Sequence, residues 1–245
     1  MYYYKLTLCY DGTRYKGWQR QGNTDNTIQA RVEECLSAIL GEATELAASG
    51  RTDAGVHANA QVCSFSCKNV LDCESVLTRL RHELPEDIGA ISLERAGDRF
   101  HARLNCKEKT YVYRVWNSDA PNVFERRYMY RFPGKLDVEA MRRSASLLEG
   151  EHDFSAFCSN RNMKKSAVRN VKSIKIEQIG DELRFTLTGN GFLYNMVRII
   201  VGTLLEVGTH ARSAEEIPQI ISSCKRENAG ATAPAKGLIL QEVRY

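Results

Sequence analysis

The run Gly50-Arg51-Thr52-Asp53-Ala54-Gly55-Val56-His57 sets a carboxylate between a permanent cation and a glycine. A carboxylate held still and kept ionised can serve as a general base or as a nucleophile. Arg51, two positions before Asp53, favours the charged form of that carboxylate and is also a natural grip for a phosphate. Gly50 and Gly55 bracket the segment, as expected where the backbone must take positive φ or admit another group closely. The same letters also describe a plain surface turn, since Gly, Asp and Thr are all turn formers. Residues elsewhere in the chain decide between the two readings.

Arg198 is the second residue of interest, because it interrupts the apolar run Met196-Val197-Arg198-Ile199-Ile200-Val201. An unpaired guanidinium is costly to bury, so a helix this apolar must offer it a partner or let it snorkel to water. Gly191, Asn195, Arg198 and Gly202 fall on one helical stripe, a polar, small-residue seam that must face something. A carboxylate is the natural partner for it, and Asp53 is the leading candidate. Tyr111 and Tyr113 share one face of a predicted strand. Alternating tyrosines in a sheet are commonly core, whereas a ring stacked on a nucleobase is worth about 1–3 kcal/mol per base. Arg103, Lys107, Lys109 and Arg114 nearby favour the second reading.

The elements that must position these residues follow from periodicity. Tyr4, Leu6, Leu8 and Tyr10 alternate with Lys5, Thr7 and Cys9, which predicts a half-buried strand. Asn26-Thr27-Ile28-Gln29 resembles a capping box, and Ile28, Val32, Cys35, Leu36 and Ile39 recur at helical spacing until Gly41. Short strands are expected at 47–50 and 60–66, on either side of the Arg51–Ala58 loop. A helix capped by Asp72 should carry Val76, Leu77, Leu80 and Leu84 and stop at Pro85, with a strand at 88–93 after it. In the second half, strands are expected at 109–116 and 126–132, paired with each other. A helix should run from Asp137 through Leu148 to a close at Gly150. Strands at 171–179 and 183–188 flank the turn Gly180-Asp181. Helices are expected at 192–207 and 214–224, and a closing strand at 237–244. This order is not strict βαβα, and it points to α+β with mainly antiparallel sheet and helices covering one face. The break between halves is expected near Leu104 to Glu108, giving an N-terminal half 1–105 and a C-terminal half 106–245.

Composition narrows the class. An apolar share of 43% is enough for a full core, and no apolar run approaches the ~18 residues of a membrane span. The opening Met-Tyr-Tyr-Tyr-Lys-Leu-Thr-Leu lacks a basic region with a small-residue cleavage site, so a cytoplasmic protein is expected. The eight cysteines form no C-x-x-C pair, which argues against structural zinc and for reduced, mostly buried thiols. From His101 to Lys175 there are 16 Lys and Arg against 8 Asp and Glu, a local balance of +8 in a chain of net charge +4. A basic middle on a mildly acidic body is the footprint of a nucleic-acid binder, or else a solvated basic face.

The run Gly50–His57 resembles the signature of the TruA family of tRNA pseudouridine synthases. The resemblance continues through Tyr10-Asp11-Gly12 with Tyr15-Lys16-Gly17-Trp18-Gln19, and through Phe100-His101-Ala102-Arg103 and Lys109-Thr110-Tyr111-Val112-Tyr113. It ends in Gly191-Phe192-Leu193-Tyr194-Asn195-Met196-Val197-Arg198 and Ala229-Gly230-Ala231-Thr232-Ala233-Pro234-Ala235-Lys236-Gly237-Leu238. It implies a homodimer that isomerises uridine to pseudouridine at positions 38, 39 and 40 of the tRNA anticodon stem-loop, using neither cofactor nor metal. It implies two similar α+β halves sharing a central antiparallel sheet, with the cleft between them. By position Asp53 is then the catalytic aspartate and Tyr111 the ring packed on the target base. Arg51 and Arg198 are the flanking cations and Leu238 an apolar wall. Asp53 would attack sugar or base covalently, or remove a sugar proton; the residue types allow both. Two other classes share the same basic middle: a non-catalytic RNA-binding protein, and a hydrolase that cleaves the uridine N-glycosidic bond and releases uracil.

Overall fold

The alternation at the N-terminus produces β1 (Tyr2–Tyr10), in which Tyr4, Leu6, Leu8 and Tyr10 are buried and the residues between them are half-exposed. In this computed structural model, which describes residues 1–160, 163 and 165–245, the chain divides into two compact units. One comprises Met1–Lys107 with Ile239–Tyr245, the other Glu108–Leu238.

In the first unit β1 leads to α1 (Ile28–Leu40), then β2 (Ala47–Ala48), β3 (His57–Cys67), α2 (Cys73–Glu83) and β4 (Ile88–Arg95). β1 lies antiparallel between β3 and β4, and β2 adds to β3. α2 begins where Asp72 accepts the amides of Glu74 and Ser75, and packs on β4 and α1. α1 ends at Gly41, whose φ of 68° is the left-handed stop that glycine permits. Its start differs from the expected capping box. Thr27 Oγ1 accepts the amide of Ala30 alone, because the third residue after the cap is Ala30 and has no side chain to reach back. Gln29 instead turns inward, donating to Glu33 Oε1 at 2.8 Å.

The second unit is built on β5 (Glu108–Trp116), β6 (Tyr130–Arg131), α3 (Val138–Ser146), β7 (Gly150–Asp153), β8 (Val168–Ile179), β9 (Glu182–Gly189), α4 (Met196–Gly208) and α5 (Ile217–Ser223). β5, β9, β8 and β7 follow one another as an antiparallel sheet, with the β8–β9 turn at Gly180 (φ 59°). α3 packs on α4 and β8. Three expectations are corrected. The strand foreseen at 126–132 shrinks to β6, parallel to β5, because Asn122 Oδ1 takes the Glu125 amide and Tyr128 bonds back to Glu125, curling 122–128 into turns. The helix foreseen from Phe192 starts at Met196, since Asn195 sits at φ 62° and breaks the helical path. Gly191 therefore leaves the expected stripe. The helix foreseen at 214–224 opens as a 3₁₀ turn boxed by Ser213 and Glu216, and becomes α5 with Pro218 in its first turn.

The last strand, β10 (Leu238–Arg244), returns to the first unit and pairs parallel with β3 through Ile239↔His57 and Leu240↔Ala58. The fold is α+β with mainly antiparallel pairing. None of the described helices is long and apolar enough to cross a membrane. All eight cysteines are thiols. Burial pushes the Cys35 thiol up to about 11 and that of Cys63 well above its ordinary value, so both stay protonated at neutral pH. Three of the eight are buried, four half-buried and Cys224 is exposed, a looser distribution than expected.

Candidate active site

Asp53 lies on the turn between β2 and β3, and the chain around it is fastened on both sides. Before it, Thr52 is buried: its hydroxyl shares a 2.8 Å hydrogen bond with Tyr10 Oη and its carbonyl accepts the Trp18 amide at 3.0 Å. After it, the Val56 amide closes the turn onto the Asp53 carbonyl at 3.1 Å, and Gly55 takes a φ of 77°. Gly50 needs no such φ. Its carbonyl receives Gln61 Nε2 at 2.9 Å, and Gln61 is itself buried and bonded by Ser49. The side chain of Asp53 is half-buried on this fixed turn.

A second loop clasps the first. The Gly12 amide lies 3.1 Å from His57 Nδ1, and Asp11 Oδ1 lies 3.1 Å from the same nitrogen, so the buried imidazole joins the two motifs. A Cβ on Gly12 would stand 2.0 Å from the Val56 carbonyl oxygen, an impossible approach. Gly17, at φ 96°, brings its α-carbon so near that a Cβ would meet the Thr52 carbonyl at 2.9 Å. Both glycines are thus required by contact with the Asp53 turn. Arg51 is exposed and donates from Nε to Gln19 Oε1 at 3.0 Å, while Gln19 Nε2 is held by Gln29 Oε1 at 2.7 Å. The structure thereby brings Arg51, Asp53 and the Tyr10–Gln19 motif together within the first unit.

Tyr111, Arg198 and Leu238 belong to the second unit. Tyr111 is 8% exposed, faces Leu187 across the β5–β9 ladder, and meets Phe192 edge-on with centroids 5.3 Å apart. Tyr113 is fully buried and donates its hydroxyl to the Pro234 carbonyl at 2.7 Å. Burial raises its phenol far above the ordinary value, against a smaller downward pull from Arg198, so it remains a donor. Arg198 donates from Nε to the Ala233 carbonyl at 2.7 Å and from Nη1 to Asn195 Oδ1 at 2.8 Å. Asn195 also bonds Ser159 Oγ, which fixes its left-handed backbone in place.

Within this unit the expected seam faces the loop 229–237. A Cβ on Gly202 would sit 1.8 Å from the Ala231 oxygen, Thr203 Oγ1 takes the Gly230 amide at 2.9 Å, and Glu206 Oε1 takes that of Ala231 at 3.0 Å. This fastened loop ends in a 3₁₀ turn, Ala235–Gly237, that delivers Leu238, which is buried. Gly237 lies flat on the Tyr113 ring, where a Cβ would be at 2.7 Å. Sequence reasoning missed the loop-fastening role of Tyr113, Thr203 and Glu206. Their signal was the glycines at 202, 230 and 237, where a Cβ would collide with the packed neighbour. Arg114, expected beside a nucleic acid, is bonded to Glu182 and Glu125 at 2.8 Å each.

The chain matches the model of the tRNA pseudouridine synthase family over residues 8–105 and 144–245. It is 46% identical over 242 residues to tRNA pseudouridine synthase A 2 of Bacillus anthracis, covering 99% of each chain. The tRNA pseudouridine synthase A proteins of Brevibacillus brevis and Acetivibrio thermocellus are each 44% identical, with 98% of both chains covered. With agreement end to end and both glycine-clasped motifs in place, the chain belongs to the tRNA pseudouridine synthase family.

Proposed function

We propose that this chain isomerises uridine to pseudouridine at positions 38, 39 and 40 of the tRNA anticodon stem-loop, with Asp53 as the catalytic carboxylate. The family assignment supports the reaction and the tRNA substrate. The observation that carries the residue assignment is the doubly clasped turn, which holds Asp53 still while leaving its side chain partly accessible. The reaction breaks the N1–C1′ bond, rotates the uracil and rejoins it through C5. The proton displaced from C5 as the C5–C1′ bond forms is balanced by one gained at N1, so the isomerisation is redox-neutral, loses no other atom of the uridine, and calls for neither a cofactor nor a metal. Attack on sugar or base and removal of a sugar proton both require Asp53 ionised. Stem uridines are stacked, so the target must be extruded at a cost of a few kcal/mol. Tyr111 recovers part of this by packing on the flipped base. Arg51 and Arg198 supply positive charge and Leu238 an apolar wall to the substrate, and the enzyme works in the cytoplasm as a homodimer.

Replacing Asp53 by Asn keeps the shape and removes both base and nucleophile. Release of tritium from 5-tritiated uridine in tRNA should fall by 10²–10⁴-fold or more, with tRNA affinity in filter binding changed only a few-fold. Residual turnover above about a hundredth of wild type would remove Asp53 from the catalytic role.

A further inference from the structure

Phe124 is 92% exposed, the most exposed large apolar side chain of the described residues, and Val123 before it is 55% exposed. An aromatic ring left in water on a loose tip would mean little. This one stands on a fixed turn. Asn122 Oδ1 holds the Glu125 amide at 3.2 Å, the Tyr128 amide bonds the Glu125 carbonyl at 2.8 Å, and Arg126 Nη1 caps the Val123 carbonyl at 2.6 Å. The Glu125 carboxylate, the only acid between Pro121 and Arg131, is neutralised by Arg114 at 2.8 Å. The turn therefore presents a ring beside the exposed Arg126 and Arg127 with its one negative charge tied back. A guanidinium carries five N–H donors, so Arg126 keeps others beyond the one on Val123.

We propose that this turn is an RNA-contacting wedge, Phe124 stacking on an unpaired or terminal base of the tRNA while Arg126 engages a neighbouring phosphate. The partner is identified by charge and shape. A flat exposed ring on a turn that also carries two exposed cations suits a base and its phosphate, since every base offers a π-face. A second copy of this chain or another protein would need a broader apolar surround than Val123 gives, and on the other side of the ring stand Glu125, tied to Arg114, and then the exposed Arg126 and Arg127. The inference deepens the reading of the chain as a tRNA-modifying enzyme and rests on it for the identity of the RNA.

The test uses the full chain in the Asp53→Asn background, where binding is read without turnover. Phe124→Ala should weaken binding of an unmodified full-length tRNA transcript by about 5- to 100-fold. Phe124→Leu should remain weak, because it restores apolar volume without a π-face, and Phe124→Trp should bind at least as well as the parent. The emission of the Trp variant should be quenched by tRNA, beyond the change in the parent, and not by heparin, which offers negative charge without bases. Parent-like affinity for both Ala and Leu variants would overturn the proposal. So would full rescue by Leu, or a change of mass in solution with RNA affinity unaltered, which would assign the ring to a second copy. Failure of the Asp53 assignment shows as retained turnover in Asp53→Asn, an outcome separate from every arm of this series.

Discussion

A guanidinium among Val, Ile and Leu has to be satisfied locally, and Arg198 meets two acceptors, the Ala233 carbonyl and Asn195 Oδ1. It therefore fastens the loop that leads to Leu238, alongside the Tyr113 hydroxyl on Pro234. Arg198→Met fills much of the volume but strands a carbonyl and an amide oxygen. It should cost about 1–3 kcal/mol of stability and lower kcat for pseudouridine formation more than it lowers tRNA affinity. Arg198→Lys keeps the charge without the forked donors and should be intermediate in both. Thermal melts with single-turnover kinetics check this, and a Met variant with wild-type kcat would leave Arg198 a structural residue alone. The seam on α4 was readable from the sequence because glycines and an arginine stand out in an apolar run. The hydrogen bond from Arg198 to the Ala233 carbonyl was not, because a backbone carbonyl has no letter. The same holds for the Asp53 turn: the aspartate, its glycines and the motif holding Tyr10 and Trp18 were visible, whereas the bonds of Tyr10 and Trp18 to Thr52 and of Gln61 to Gly50 join residues too far apart in the chain for any local pattern to show.

At the scale of elements, one charged cluster ties β5, β9 and the turn before β6. Arg114 on β5 bonds Glu182 at the start of β9 and Glu125 on the turn, and Arg184 adds a second cation to Glu182. Burial raises the Glu182 carboxyl, but the hydrogen bonds and charges of Arg114 and Arg184 outweigh it and leave the group below its ordinary value. A carboxyl depressed in the folded state contributes stability above its unfolded value, near 4.5, and that contribution is lost as pH falls through the folded value. Glu182→Gln should therefore lower stability by about 1–3 kcal/mol at pH 7. The gap in Tm from wild type should narrow as pH drops below roughly 4.5, and a gap unchanged with pH would mean that shape, and not charge, is what Glu182 supplies. Long periodic elements such as β1, α1, β8 and β9 were readable because their burial repeats over many residues. β6 and β7 span two and four residues, too few for any period to show. The parallel pairing of β10 with β3 depends on residues nearly two hundred positions apart, which no local pattern encodes.

Across the whole chain the charge is uneven, and this sets how affinity responds to salt. The segment 101–175 carries 16 Lys and Arg against 8 Asp and Glu, although Arg161 and Lys164 lie outside the described residues. Not all of those cations can face RNA. Arg114 is held by Glu182 and Glu125, Arg142 pairs with Glu139, Lys172 pairs with Glu108, and Arg131 bonds the carbonyls of Ser118 and Asp119. Arg126, Lys135, Arg143 and Lys175 are exposed on the same stretch and are the better candidates for phosphates. Each phosphate contact releases counterions and steepens the fall of log K against log salt by roughly 0.7–0.9. Four to six contacts predict a slope of about −3 to −5, far short of the value sixteen independent cations would give. Exchanging Arg143 for Gln should reduce the slope by about one if that side chain meets a phosphate, whereas Arg114→Gln should lower stability and leave the slope nearly unchanged. Filter binding of tRNA across a salt series reads both. A slope near zero would mean that the basic stretch is a solvated face and that affinity comes from contacts to bases.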